Sequence, residues 1–140
     1  MLASPQKSER LKVILDSNAL FIPLEFKLDI FVEVQHLLNR NVDFVLLSPV
    51  KHELELLSAK DSPKTRREAS FALKLGEKCK YVKIEDYGQT TTDDIIVKVA
   101  KEWNSPVFTN DSQLRRRLRD ISVPVIYVRQ KSRLEIDGLI

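Results

Sequence analysis

Only one cysteine is present, Cys79, so the chain forms no internal disulfide and a reducing, cytoplasmic compartment is expected. Glycine occurs only at 76, 88 and 138. Three scattered glycines exclude a phosphate-cradling P-loop and a GxGxxG dinucleotide loop. No apolar run approaches the ~20 residues of a membrane-crossing helix, so no membrane is expected among the partners. The stretch Met1 to Arg10 is polar and lacks an apolar signal segment. His36, His52 and Cys79 show no zinc-ligand spacing. There is no internal repeat, low-complexity tract or Gly/Ser linker. What remains is 140 residues, 43% hydrophobic and 31% charged, which excludes disorder and fits one domain with a single core. The net charge of +3, from 23 basic and 20 acidic residues, names no partner by itself.

Short apolar runs alternate with helical patterns. Leu11 to Leu15, Val42 to Leu47, Tyr81 to Ile84, Val107-Phe108 and Val123 to Val128 read as strands of a parallel sheet covered on both faces. Ile30, Phe31, Val34, Leu37 and Leu38 share one helix face. Ser48-Pro49 predicts an N-cap and a first-turn proline ahead of Val50, Leu54 and Leu57. Residues 63 to 79 read as another helix. Thr92 is the expected cap of a helix carrying Ile95, Ile96, Val99, Ala100 and Trp103, and Leu114 and Leu118 mark a last short one. This alternation implies an α/β sandwich with right-handed crossovers.

Acidic residues fall where strands end and helices begin. Asp16 follows the first strand and Asp111 the fourth, Glu53 lies in the helix after the second, and Asp93-Asp94 open the helix after the third. Ligands of open α/β sheets bind outside the carboxyl ends of the strands, so these positions permit one shared acidic site. Glu53 shares a stripe with Val50 and Leu57, and Asp111 with Leu114 and Leu118. At ~100° per residue, Asp93 falls roughly 90° from the centre of its helix's apolar stripe and Asp94 roughly 170° from it. Asp93 is therefore placed at the core boundary and Asp94 in water. Capping explains an Asp at a helix start. It does not explain Glu53, a full turn inside its helix. Converging anions repel one another, and a hard divalent cation, Mg²⁺ or Mn²⁺, resolves that conflict.

The ordered set resembles the PIN domain, a metal-dependent ribonuclease family, over roughly residues 10 to 130. Val13-Ile14-Leu15-Asp16-Ser17-Asn18 resembles its opening motif, and Ser48-Pro49-Val50-Lys51-His52-Glu53-Leu54 its second. Thr92-Asp93-Asp94-Ile95-Ile96 is similar to its helix-opening acid, and Val107-Phe108-Thr109-Asn110-Asp111-Ser112-Gln113-Leu114 to its Thr-Asn-Asp element. The resemblance implies a three-layer α/β/α sandwich on a parallel sheet of four or five strands, within a single domain spanning 1–140. Its two ends, to Arg10 and from about Arg133, are expected to be loosely ordered, as chain termini commonly are. It implies that Asp16, Glu53, Asp93 and Asp111 are catalytic and bind Mg²⁺ or Mn²⁺, with Asp94 a further candidate ligand and Asn18, Thr109 and Asn110 in support. It also implies cleavage of RNA, a homodimer through the aliphatics of residues 20 to 38, and either an antitoxin partner, as in VapC-type toxins, or a ribosome-assembly partner in rRNA processing. The Asp-Asp pair resembles the rRNA-processing branch more than many toxin members.

The basic residues supply the partner side. Arg115, Arg116, Arg117 and Arg119 follow Asp111 on one helix, and Lys64, Arg66 and Arg67 open another. These are the candidate phosphate contacts, against the plainer reading of a solvated helix face. Phe21, Phe26 and Tyr87 are candidate base-stacking aromatics, whereas Trp103 lies on a core stripe. A response-regulator receiver fits poorly, with a single acid at Asp16 and Arg129-Gln130-Lys131 after the last strand. A haloacid-dehalogenase phosphatase would carry Asp-x-Asp where this chain has Asp16-Ser17-Asn18. The non-enzyme alternative is a catalytically weak PIN-like RNA-binding or ribosome-assembly scaffold.

Overall fold

A computed structural model describes residues 10–85 and 90–140. One sheet of six strands, in the order β3-β2-β1-β4-β5-β6, forms the middle layer. Its strands are β1 (Leu11–Leu15), β2 (Val42–Leu47), β3 (Lys80–Val82), β4 (Val107–Phe108), β5 (Val125–Arg129) and β6 (Arg133–Asp137). A 3₁₀ helix (Ser17–Phe21) leads into α1 (Ile22–Phe26), followed by α2 (Ile30–Leu38), α3 (Ser48–Ser58), α4 (Pro63–Gly76), α5 (Thr92–Trp103) and α6 (Ser112–Asp120). The first five strands are parallel and β6 is antiparallel to β5. The result is an α/β/α sandwich with one strand more than expected.

The apolar runs form strands because both sheet faces are covered. Val13, Ile14 and Leu15 are fully buried, as are Val107 and Phe108, and every residue of β2 is buried. The polar exception in β2, Asp43, accepts a 2.6 Å hydrogen bond from Arg10 Nε and lies 3.1 Å from Lys80 Nζ. Gly76 ends α4 where the helix meets the sheet: a Cβ there would stand 3.0 Å from Leu46 Cδ2.

Several boundaries differ from the expectations. Ser48 is the first residue of α3 rather than its cap, and its Oγ accepts from the Ile84 amide at 2.9 Å. Thr91, not Thr92, caps α5, its side chain accepting from the Asp94 amide. The helix expected over 63 to 79 ends at Gly76. The chain from Arg133 to Asp137 is strand β6 rather than a loose end, because it satisfies the outer edge of β5 in register from Val125↔Asp137 to Arg129↔Arg133.

Strand order positions the functional end. From β1 the chain crosses outward to β2 and β3, then returns to β4 on the other side of β1. The β1–β4 boundary is therefore the switch point, where diverging connections leave a crevice at the carboxyl ends of the strands. Leu15 pairs with Phe108 there, so the residues that follow, Asp16 and Thr109, emerge side by side.

Candidate active site

Asp16 leaves β1 in extended conformation and caps the 3₁₀ helix, with Oδ1 accepting from the Ser17 amide at 2.8 Å. Its Oδ2 accepts from Thr109 Oγ1 at 2.7 Å and Asn18 Nδ2 at 2.9 Å. Asp16 is 4% exposed and Thr109 fully buried. Thr109 Oγ1 in turn accepts from the Asp111 amide at 3.0 Å. Asn18 Oδ1 accepts from the Asn110 amide at 2.8 Å, and Asn110 Oδ1 accepts from the Val128 amide at 2.8 Å. One chain of polar contacts thus ties the ends of β1, β4 and β5 together. Asp111 caps α6, and both cap bonds, from the Gln113 and Leu114 amides, land on Oδ1. That leaves Oδ2 without a hydrogen bond among the described residues.

Glu53 and Asp93 come in from the flanking helices, and both are half-buried. Mutual electrostatics shows how the acids gather. Burial pushes the Asp16 carboxyl above its ordinary range. The hydrogen bonds from Thr109 and Ser17 oppose this, while the charges of Glu53 and Asp111 add to it. Burial also raises Asp93, with Asp16 and Asp111 pushing the same way against the smaller relief of Arg117. Among the described residues, Asp16, Glu53, Asp93 and Asp111 form no ion pair with a cationic side chain. A charge left this way on a buried group is costly.

As they stand, no three acidic, histidine or cysteine side chains among the described residues are gathered tightly enough to grip a cation. Asp16 and Asp111 are held by hydrogen bonds, but four carboxylates without a counter-ion repel one another and are expected to stand apart. The donor set is nevertheless all oxygen, which suits a hard divalent cation and not zinc. A buried Asp16 with no cationic partner gives that cation something to neutralise.

Asp94 departs from the set. It is exposed, and Arg117 donates to it at 2.8 Å, which, helped by Thr91, holds its carboxyl below the ordinary range. The ~170° phase of Asp94 anticipated this outward position, and the side chain is an ion-pair partner rather than a member of the acid group.

The arginine run is also partly committed. Arg115 lies over the Tyr127 ring at 3.9 Å and, like Arg119, sits near Asp137 of β6, at 3.7 and 3.5 Å. Arg66 donates to the Lys60 and Asp61 carbonyls just before α4. Arg116, Lys64 and Arg67 are the candidate phosphate contacts left without such partners among the described residues. Phe26 and Trp103 pack partly buried against the core, and Tyr87 lies outside the described residues. Of the aliphatics in residues 20 to 38, Leu24 and Val32 are the exposed large side chains.

Sequence reasoning missed Asp137, which lies in a stretch with no helical or strand signal strong enough to read. It also missed a cleft beside the acids, lined by Phe21, Leu24, Glu25 and Glu68 and bordered by Asn18 and Asn110. Part of that cleft is built by α1, five residues long and too short to show a periodicity.

A family model described as PIN like domain matches residues 13–131. The chain is 35% identical over 130 residues to ribonuclease VapC4 of Methanocaldococcus jannaschii, an alignment spanning 92% of this chain and 98% of that protein. It is 31% identical over 96 residues to ribonuclease VapC9 of Archaeoglobus fulgidus, spanning 69% and 68% of the two chains. The solved structure of the PIN domain endonuclease Utp24 superposes with a TM-score of 0.78 at 26% identity, covering 92% of each chain. VapBC2 from Rickettsia felis, solved with a promoter DNA fragment, superposes with a TM-score of 0.61 at 16% identity, covering 85% of this chain and all of that one. At that identity the likeness is one of fold.

Proposed function

The chain belongs to the PIN-like domain family, and from that membership we propose that it is a divalent-metal-dependent endoribonuclease acting as a VapC-type toxin or in RNA processing. The observation that carries the proposal is the pairing of Asp16 and Asp111 across the β1–β4 switch point, with Glu53 and Asp93 adding charge and none of the four ion-paired to a basic side chain among the described residues. Two relatives are named ribonucleases and one structural neighbour an endonuclease, which supports the same reaction class.

Asp16 and Asp111 would hold Mg²⁺ or Mn²⁺, with Glu53 and Asp93 binding directly or through water. When bound, such an ion supplies a Lewis acid that stabilises charge on a phosphodiester and favours an in-line water nucleophile. The protein's share is orientation. Thr109 and Asn18 fix the Asp16 carboxylate, and the Asp111 amide is fixed by Thr109. Glu53 and Asp93 would orient a water and take up its proton. Arg116, Lys64 and Arg67 offer salt-dependent contacts to the RNA backbone.

The VapC-named relatives favour a partner protein that restrains the enzyme, an antitoxin. A homodimer through the aliphatics of residues 20 to 38, where Val32 is exposed, and a ribosome-assembly partner belong to the same proposal. Among the described residues no helix is long and apolar enough to cross a membrane.

The test is cleavage of a defined RNA panel by wild type and Asp16→Asn in Mg²⁺, Mn²⁺ and chelator. Wild type is expected to cut only with metal and Asp16→Asn to lose at least a hundredfold in rate, on the order of one removed transition-state contact. Equal cleavage by the two proteins overturns the mechanism. Absence of cleavage under any metal, with RNA still bound, favours the scaffold alternative.

A further inference from the structure

Beside the acids lies a cleft of about 300 Å³ that the proposed hydrolysis leaves unused. Phe21, Leu24 and Glu25 form one wall, from the 3₁₀ helix and α1, and Glu68 of α4 stands in the other. Asn18 and Asn110 border it. These are the residues whose hydrogen bond joins Asp16's loop to the end of β4, so the cleft opens directly off the acidic site.

The lining selects its occupant. Glu25 is exposed and Glu68 half-buried, and neither has an ion-pair or hydrogen-bond partner among the described residues. Two such carboxylates repel a backbone phosphate. They accept hydrogen bonds from amino and imino groups. The Phe21 ring and the Leu24 side chain offer apolar surface to a flat ring. A nucleobase meets all three conditions, with apolar faces, no charge and a polar edge.

We infer that this cleft, resting on the nuclease reading, is a nucleobase subsite for the nucleotide beside the cleaved bond, and that it selects guanine. The Watson–Crick edge of guanine sets N1–H and the 2-amino group side by side, so one carboxylate accepts from both. Adenine and cytosine offer an amino group next to an acceptor. Uracil offers one N–H between two carbonyl oxygens, which face a carboxylate unfavourably. RNA read in single strands is recognised in this way, by stacking and by hydrogen bonds to the Watson–Crick edge. Glu68, the less exposed of the two acids, is the principal acceptor.

The test separates binding from cutting. Fluorescein-labelled uridine hexamers carrying one central guanosine, inosine, adenosine or cytidine are titrated by anisotropy with the full chain bearing Asp16→Asn in Mg²⁺. The guanosine hexamer is expected to bind about tenfold tighter than the all-uridine one, the scale of a good bidentate base contact. Inosine, without the 2-amino group, falls between them. Adding Glu68→Gln brings guanosine within about threefold of uridine, and Glu25→Gln, on the exposed wall, weakens the preference in the same direction. Equal affinity for all hexamers, or a preference untouched by both variants, overturns the subsite and leaves the cleft to another occupant such as a protein segment. Wild-type cleavage of the same RNAs without base preference keeps the nuclease reading and overturns the subsite. Base-dependent binding with no cleavage in Mg²⁺ or Mn²⁺ keeps the subsite and overturns the nuclease reading.

Discussion

Thr109 donates its hydroxyl proton to Asp16 at 2.7 Å across 93 positions of sequence, and the same oxygen accepts from the Asp111 amide. One buried hydroxyl therefore sets the orientation of two candidate metal ligands. The parallel register of β1 and β4 makes this possible: Leu15 pairs with Phe108, so the next residue of each strand arrives at the same level.

Thr109→Val keeps the shape and removes both bonds, along with the 3.3 Å hydrogen bond that Thr109 Oγ1 accepts from Asn18 Nδ2. It leaves a buried carboxylate and a backbone amide short of a partner, so about 2 kcal/mol of stability should be lost. Thr109→Ser retains the oxygen and gives up only a methyl group, about 0.8 kcal/mol. Urea unfolding measures both. Activity should follow the oxygen, with Ser close to wild type and Val well below it. A Val variant as active as wild type would mean that Thr109 does not position the acids.

Asp93 and Asp94 are neighbours in sequence with opposite surroundings. Asp93 is half-buried, raised by burial and then by the charges of Asp16 and Asp111, whereas Asp94 is exposed and paired with Arg117. Asp93→Asn should abolish most metal-dependent cleavage. Asp94→Asn should change stability by no more than about 0.5 kcal/mol, as exposed pairs do, and leave cleavage within a few-fold. Parallel rate measurements decide the assignment, and a larger loss for Asp94→Asn would reverse it.

Metal should stabilise the fold, since a cation held by the native acid group has no equivalent site in the unfolded chain. A hundredfold excess over Kd contributes about 2.7 kcal/mol. Thermal melts in Mn²⁺ against chelator should show a saturable rise in Tm for wild type. Asp16→Asn should lose most of that rise while retaining the fold, judged by circular dichroism. An equal rise in both proteins would place the bound ion elsewhere.

The α/β class was legible because fully buried strands read as apolar runs, as in Val13-Ile14-Leu15 and Val42 to Leu47, whereas the edge strand β3 is largely exposed and gave a weaker signal. The outward phase of Asp94 could be read from 3.6-residue geometry alone. Strand order could not, and it is the order that makes Asp16 and Thr109 neighbours. Strand β6 escaped notice because Arg133, Glu135 and Asp137 alternate with Leu134 and Ile136 at a half-exposed edge, a pattern that a charged tail shares. The partners of the arginines are tertiary as well. Nothing near Arg115 or Arg119 in sequence points to Asp137, so the run reads as a free phosphate-binding face until β6 is in place. Ser48 looked like a cap because Ser-Pro pairs often start helices. Its hydroxyl is instead drawn to the Ile84 amide, a contact 36 positions away.

Asp43 supplies a pH test removed from the acids. Burial alone would raise its carboxyl, but the hydrogen bonds from Arg10 and Lys80 and their charges outweigh it and hold Asp43 below its ordinary range. The native state therefore binds this proton less readily than the unfolded chain does. The stabilisation is present above the unfolded value of about 3.9 and is lost as pH falls through the lower native value. Asp43→Asn should cost about 1.5 kcal/mol at pH 7, the scale of a hydrogen bond to a charged group. The gap between the two proteins should start to narrow as pH drops below about 4, where the unfolded chain takes up this proton, and close as pH falls through the lower native value. Urea titrations at pH 7, 5 and 3.5 measure the gap directly. A gap that widens toward acid would mean that Arg10 and Lys80 do not stabilise the ionised form.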